Sequence, residues 1–257
     1  MTKLSELFGQ SIESYQLAFR FIILALPLAL VPVLAEALQH FAEFQLGMFA
    51  LEKGDSFSDQ KQAIRLVFGA VKALSIFFII LVLPRFFLKN CRQKSAISFS
   101  KKNVSALFMG LIMILVMMLW VFWLGPILIS FLLPSLSKLN VLLLLLLSPF
   151  LAAFVFSKSY NNWVAGLWDL PSPSAAQNKE INKALYGLGF IVQAAAIFPA
   201  MALHYWLGFN AMGAAGFTLA TILIIDSVVV GILACLMASC IFVLFRDTYG
   251  SALRDKF

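Results

Sequence analysis

Charge is what this chain has least of. Only 12% of its 257 residues are Asp, Glu, Lys or Arg, while 62% are apolar; an ordinary soluble domain carries about 25% charged residues. So few charges cannot clothe a water-facing surface, and one core cannot hide so much apolar area. A soluble globular domain is excluded, and the bilayer is the solvent that suits the composition. Cysteine is scarce too. Cys91, Cys235 and Cys240 form no CxxC pair and no even-numbered framework, which leaves neither a disulfide scaffold nor a thiolate zinc site to expect.

Motifs of common membrane enzymes are missing. No HExxH, GxSxG or Walker A sequence occurs, so zinc peptidase, nucleophile-elbow and nucleotide-hydrolysing chemistry have no foothold. Ser227 beside Asp226 is not a catalytic arrangement, because helix neighbours point about 100° apart. Neither histidine, His40 nor His204, is credited with a carboxylate at metal-ligand spacing on its own helix. Hence no catalysis, no metal and no cofactor are expected. The net charge of +7 would suit nucleic acid. However, the cations flank apolar runs and nowhere interleave with aromatics, so nucleic acid is not expected as a partner.

What is present is a series of apolar runs. A span needs about 20 residues, and six runs qualify: 19–41, 66–88, 104–124, 139–157, 184–207 and 223–245. Each should be helical, since backbone groups in lipid must be satisfied within the segment. Pro27, Pro32, Pro149 and Pro199 predict kinks. The expected fold is all-α: one transmembrane domain over residues 1–257, a six-helix bundle. Similar exits at 81–90, 152–161 and 240–250 are compatible with three helical hairpins, although phenylalanine followed by a snorkelling cation suits any cytoplasmic exit. Leu4, Leu7, Phe8, Ile12 and Tyr15, opposite Glu6, Gln10 and Glu13, predict an N-terminal interfacial amphipathic helix over 2–18.

Orientation follows from the cations. With the N-terminus inside, only Lys53, Lys61, Arg65, Lys72 and Lys138 of the 19 Lys and Arg residues lie outside. The positive-inside rule then places both termini in the cytoplasm. Trp120, Trp123, Tyr205 and Trp206 mark an outer aromatic belt; Tyr160, Trp163, Trp168, Tyr186 and Tyr249 mark an inner one. The apolar connections 125–138 and 208–223 are either re-entrant loops or helices that continue outward. In length and hydropathy the chain resembles small six-helix proteins of the bacterial inner membrane. No motif accompanies that resemblance.

Three groups of residues are candidates. At about 1.5 Å per residue, Glu36, His40, Lys72, His204 and Asp226 all reach the outer half or outer edge of the membrane. There Lys72 and Asp226 are expected to pair, with the other three around them, in a vestibule open to the outside. Ser227, Gly231, Cys235 and Ser239 form a small-residue stripe for close helix packing, within the chain or between subunits. Arg85, Lys89, Arg92, Lys94, Lys101 and Lys102, a run without an acid, could meet anionic lipid or a partner, or serve topology alone. Three functions are compatible with these features. The first is a non-catalytic integral subunit of a transport or envelope-assembly system, with membrane lipids and other membrane or cytoplasmic subunits as partners. The others are a stand-alone secondary transporter or channel and a lipid-modifying membrane enzyme.

Overall fold

A computed structural model describes residues 3–50, 58–101, 103–105, 161–186 and 188–249, with 108, 112 and 127 singly. Among them regular structure is entirely helical. The elements are α1 (Lys3–Leu24), α2 (Leu26–Gln45), α3 (Asp59–Leu88), the short α4 (Gln93–Ala96), α5 (Ala175–Tyr186), α6 (Leu188–Ala211) and α7 (Gly216–Tyr249), with a further helical stretch at 161–167. Three stretches are long and apolar enough to cross a membrane: Gln60–Leu88, Ile191–Ala211 and Gly216–Arg246. There are four if the bent pair Ser5–Leu24 and Leu26–Gln45 makes one span. The span expected at 139–157 lies outside the described residues, and so do the span expected at 104–124 and the connection 125–138 apart from residues 104, 105, 108, 112 and 127.

The first span departs from expectation. Residues 19–41 are not one kinked helix; α1 and α2 meet at 96°. The break falls at Ala25, whose φ of −130° and ψ of 37° are not helical. Pro27 explains it, because a proline has no N–H to donate to the preceding turn and crowds the carbonyl there. Pro32 and Pro199, by contrast, sit inside α2 and α6 without ending them. The N-terminal helix is also longer than 2–18, and it packs on the protein through a second face. Ser11, Ser14, Leu17, Ala18 and Phe21 are buried, whereas Phe8 and Ile12 of the expected apolar stripe are exposed. Tyr15 donates to the Ala196 carbonyl of α6. Arg246 of α7 grips both oxygens of Glu13 at 2.6 and 2.7 Å.

α7 is the post of the fold, and α1, α2, α3, α5 and α6 all pack on it. Its small-residue stripe is entirely buried. A Cβ on Gly231 would lie 2.3 Å from a Val33 methyl and 3.7 Å from the Ala29 carbonyl oxygen. Gly231 thus lets α2 come close to α7, and this part of the stripe packs within the chain. At the Asp226 end α6 runs on to Ala211 and α7 starts at Gly216, so 208–223 takes the form of two continuing helices joined by a short turn. Gly213 and Gly216 take positive φ there, where a side chain would clash with its own backbone.

At the opposite end, Arg85 joins three segments. It is fully buried and donates to the carbonyls of Ala96, Ser98 and Leu167, and its Nη1 lies 2.9 Å from Asp169 Oδ2. Of the readings left open for Arg85, contact with lipid or a partner is the one this burial disfavours, because its donors face the protein. Lys89 also pairs with Asp169, at 3.0 Å. Arg92, Lys94 and Lys101 are exposed, and Lys102 lies outside the described residues. Asp169 has a φ of 59° and follows the helical stretch at 161–167. The Leu170 N–H closes back on the Ala165 carbonyl, the hydrogen bond of a left-handed helix cap. Trp168 is not a belt residue. It is 1% exposed, packs edge-on against Phe242 and Phe245, and donates to the Ile80 carbonyl.

Two outcomes test this packing. Gly231→Leu should lower stability by about 1–3 kcal/mol, since overpacking forces strained rotamers or helix displacement, as measured by thermal unfolding in detergent. Asp169 is pushed up by burial, but hydrogen bonds from Asn103 and Lys89 and the Arg85 charge outweigh this and hold it below 3.8. A depressed carboxyl contributes stability that is full above its unfolded value and is lost as pH falls through the folded one. Asp169→Asn, which still tolerates a left-handed backbone, should destabilise at neutral pH and flatten the acid limb of the stability profile below about pH 4. An unchanged limb refutes the assignment.

Candidate functional site

Around Glu36, α2 carries a polar stripe in an otherwise apolar helix. Glu36, Gln39, His40 and Glu43 recur at spacings of three and four, the spacing that places residues on one helix face, and all four are buried. A buried ionisable group must find a partner or become neutral, and here the partners come from three other helices. Asp226 of α7, 1% exposed, receives two imidazoles: His204 Nδ1 of α6 at 2.7 Å from Oδ1 and His40 Nε2 at 3.0 Å from Oδ2. A carboxylate only accepts, so with Asp226 ionised both of those nitrogens carry a proton. Lys72 of α3 lies 3.0 Å from Glu36 Oε2 and hydrogen-bonds Oε1 at 3.3 Å.

All five residues singled out in the sequence therefore meet. One pairing is corrected: Lys72 reaches Glu36, not Asp226, whose two oxygens are held by histidines. The assignment of no carboxylate partner to His40 on its own helix is also corrected. Glu36 precedes it by one turn, with Oε1 3.5 Å from Nε2, and Glu43 follows, with Oε2 3.5 Å from Nδ1.

Three participants were missed: Gln39, Glu43 and Arg65. Gln39 donates to Glu43 at 2.9 Å, and Arg65 Nε sits 3.0 Å from the same carboxylate oxygen. The helical spacing of 36, 39, 40 and 43 would have found the first two. Arg65, from a different helix, had no such signal.

The site lies at one end of the spans. Asp226 and Arg246 are 20 residues apart on α7, about 30 Å, comparable with the hydrocarbon thickness of a bilayer. The Phe49 ring, 6.1 Å from that of His40, sits beside the cluster. Phe49 is anchored by its carbonyl, which accepts from the Gly213 N–H. Access runs past His204 and Lys72, whose side chains are 20% and 21% exposed. An apolar groove of about 470 Å³ lies between α2 and α7, with His40 and Ser227 in its wall. The ligating atoms of Glu36, His204 and Asp226 all lie within 4.8 Å of one another. That is close enough for the three to close on one small cation by modest side-chain movement.

No protein-family model, curated protein or solved structure matches the chain. The chemistry of the site has to stand on its residues.

If Glu36 and Lys72 are coupled as the geometry says, Glu36→Gln and Lys72→Met should each destabilise the protein. The double variant should lose less than the sum, with a coupling of about 0.5–3 kcal/mol. Simple additivity in thermal unfolding would show that the pair does not interact.

Proposed function

We propose that the protein is a secondary transporter for a small cation, with Asp226 and its two histidines in the pathway. One observation carries this: four helices bring three carboxylates, two imidazoles and two cationic side chains together at one end of the spans. Ionisable groups are costly among membrane helices and usually mark ion or proton routes. A merely structural role needs no such density of titratable groups. In this reading the chain is a six-span bundle of the bacterial inner membrane with both termini inside. α1 runs along the cytoplasmic leaflet, with Phe8, Ile12 and Ile23, all exposed, turned to lipid.

A non-catalytic subunit of a transport or envelope-assembly system is the weaker reading. One of its supports, the small-residue stripe, is engaged within the chain at Gly231. A lipid-modifying enzyme is favoured by a single feature, the apolar groove beside His40, which suits an acyl chain next to an acid–base pair.

The test uses proteoliposomes carrying a pH dye or a zinc dye, under inward gradients of H⁺ or Zn²⁺. The wild type should exceed empty liposomes for at least one ion, and Asp226→Asn should reduce that flux at least about tenfold, equivalent to about 1.4 kcal/mol. Undiminished flux removes Asp226 from the route. Absence of flux for both ions overturns the transport reading.

A further inference from the structure

We propose that Glu36, His204 and Asp226, with His40 drawn in as a fourth ligand, form a binding site for a divalent transition-metal ion of the zinc class, and that Lys72 is a built-in competitor that holds Glu36 when the ion is absent. The inference names the cation for the transport reading and rests on that reading for its purpose. The binding itself is argued from geometry.

Zinc-class ions take nitrogen and oxygen ligands at about 2.0–2.2 Å in tetrahedral arrays, which puts neighbouring ligand atoms about 3.3 Å apart. The corresponding separations are 2.7 Å for His204 Nδ1 to Asp226, 3.0 Å for His40 Nε2 to Asp226, and 3.5 Å for His40 Nε2 to Glu36. Glu36, His204 and Asp226 already lie within 4.8 Å of one another, so closure by up to about 1.5 Å would seat an ion among them, and His40, which stands outside that group, would have to turn in to join them. Two imidazoles with two carboxylates match zinc, cobalt or iron(II); magnesium and calcium prefer oxygen alone, and copper(I) prefers thiolate.

Two buried atoms point the same way. His40 Nδ1 has no aligned hydrogen bond, and Glu43 Oε2 stands 3.5 Å away. A metal-bound histidine usually directs its second nitrogen to a carboxylate, which fixes the tautomer. Glu43 is placed for that task and is itself held by Gln39 and Arg65. Glu36 Oε2 is likewise buried without an aligned hydrogen bond, although the Lys72 ammonium lies 3.0 Å away.

Charge explains the competitor. Glu36 and Asp226 together carry −2, which a divalent ion balances. Without the ion, Lys72 supplies part of that balance. Its side chain is partly exposed and can withdraw towards water when a metal arrives, a flexible ammonium being suited to such exchange.

The experiment is equilibrium binding of Zn²⁺ to the full chain in detergent after chelator treatment, by calorimetry and by metal-to-protein ratio. Co²⁺ absorption reports the coordination geometry, and Mg²⁺ serves as control. One Zn²⁺ per chain is expected, with an intense tetrahedral Co²⁺ spectrum and no Mg²⁺ binding. Asp226→Asn and His204→Gln should each weaken Zn²⁺ at least about tenfold, whereas Lys72→Met should tighten it. Lys72→Met removes no ligand, so its gain in affinity is informative even if a ligand variant misfolds. Absence of stoichiometric Zn²⁺ binding by folded wild type, or undiminished binding by folded Asp226→Asn, overturns the site. Unchanged affinity in Lys72→Met overturns the competitor role. Zn²⁺ binding without flux in liposomes would end the transport reading and leave the metal site standing; proton flux without Zn²⁺ binding would do the reverse.

Discussion

A charge withdrawn from water among apolar helices must be compensated locally, and this constraint shapes both ends of the molecule around α7. At one end, Arg246 holds Glu13 and so binds the N-terminal helix to the post; nearby, buried Arg85 gathers three chain segments. At the other end, Asp226 gathers α2 and α6 through their histidines. Between the two ends α7 is almost wholly apolar or small, and α2 comes close to it at Gly231.

The two ends solve the problem differently. Arg85 is satisfied by backbone carbonyls and one carboxylate, a fixed arrangement with little left to exchange. The cluster around Asp226 is built almost entirely from side chains that titrate or move, and some of its buried atoms lack aligned hydrogen bonds, as do a few elsewhere, such as Ser239 Oγ. Incomplete satisfaction of buried polar atoms is uncommon and calls for an explanation such as a ligand or a strained function. The contrast marks the Asp226 end as the one with titratable side chains left to exchange and the Arg85 end as a structural clasp.

Several features were legible in advance. Long apolar stretches announced membrane helices, and the rise of a helix put Glu36, His40, Lys72, His204 and Asp226 at similar heights. Height is a one-dimensional quantity and follows from counting residues. Azimuth does not, which is why Lys72 was assigned to Asp226 when it reaches Glu36. For the same reason Trp168 was assigned to the interface and the burial of Arg85 went unforeseen, because burial depends on what packs alongside. Pro27 signalled a disturbance, yet the 96° turn at Ala25 needed the docking of α1 onto α6 and α7 to define it.

The sequence alone determined the solvent: so few charges among so many apolar side chains admit only lipid, and backbone hydrogen bonding in lipid admits helices. It also determined which rare ionisable groups share a level along the helix axes. Only the tertiary structure decided who pairs with whom, which face of α1 turns inward and which glycine sets a helix contact. These depend on rotations and crossings between helices, which are set by side-chain packing between segments distant in the chain and leave no periodic mark within any one of them.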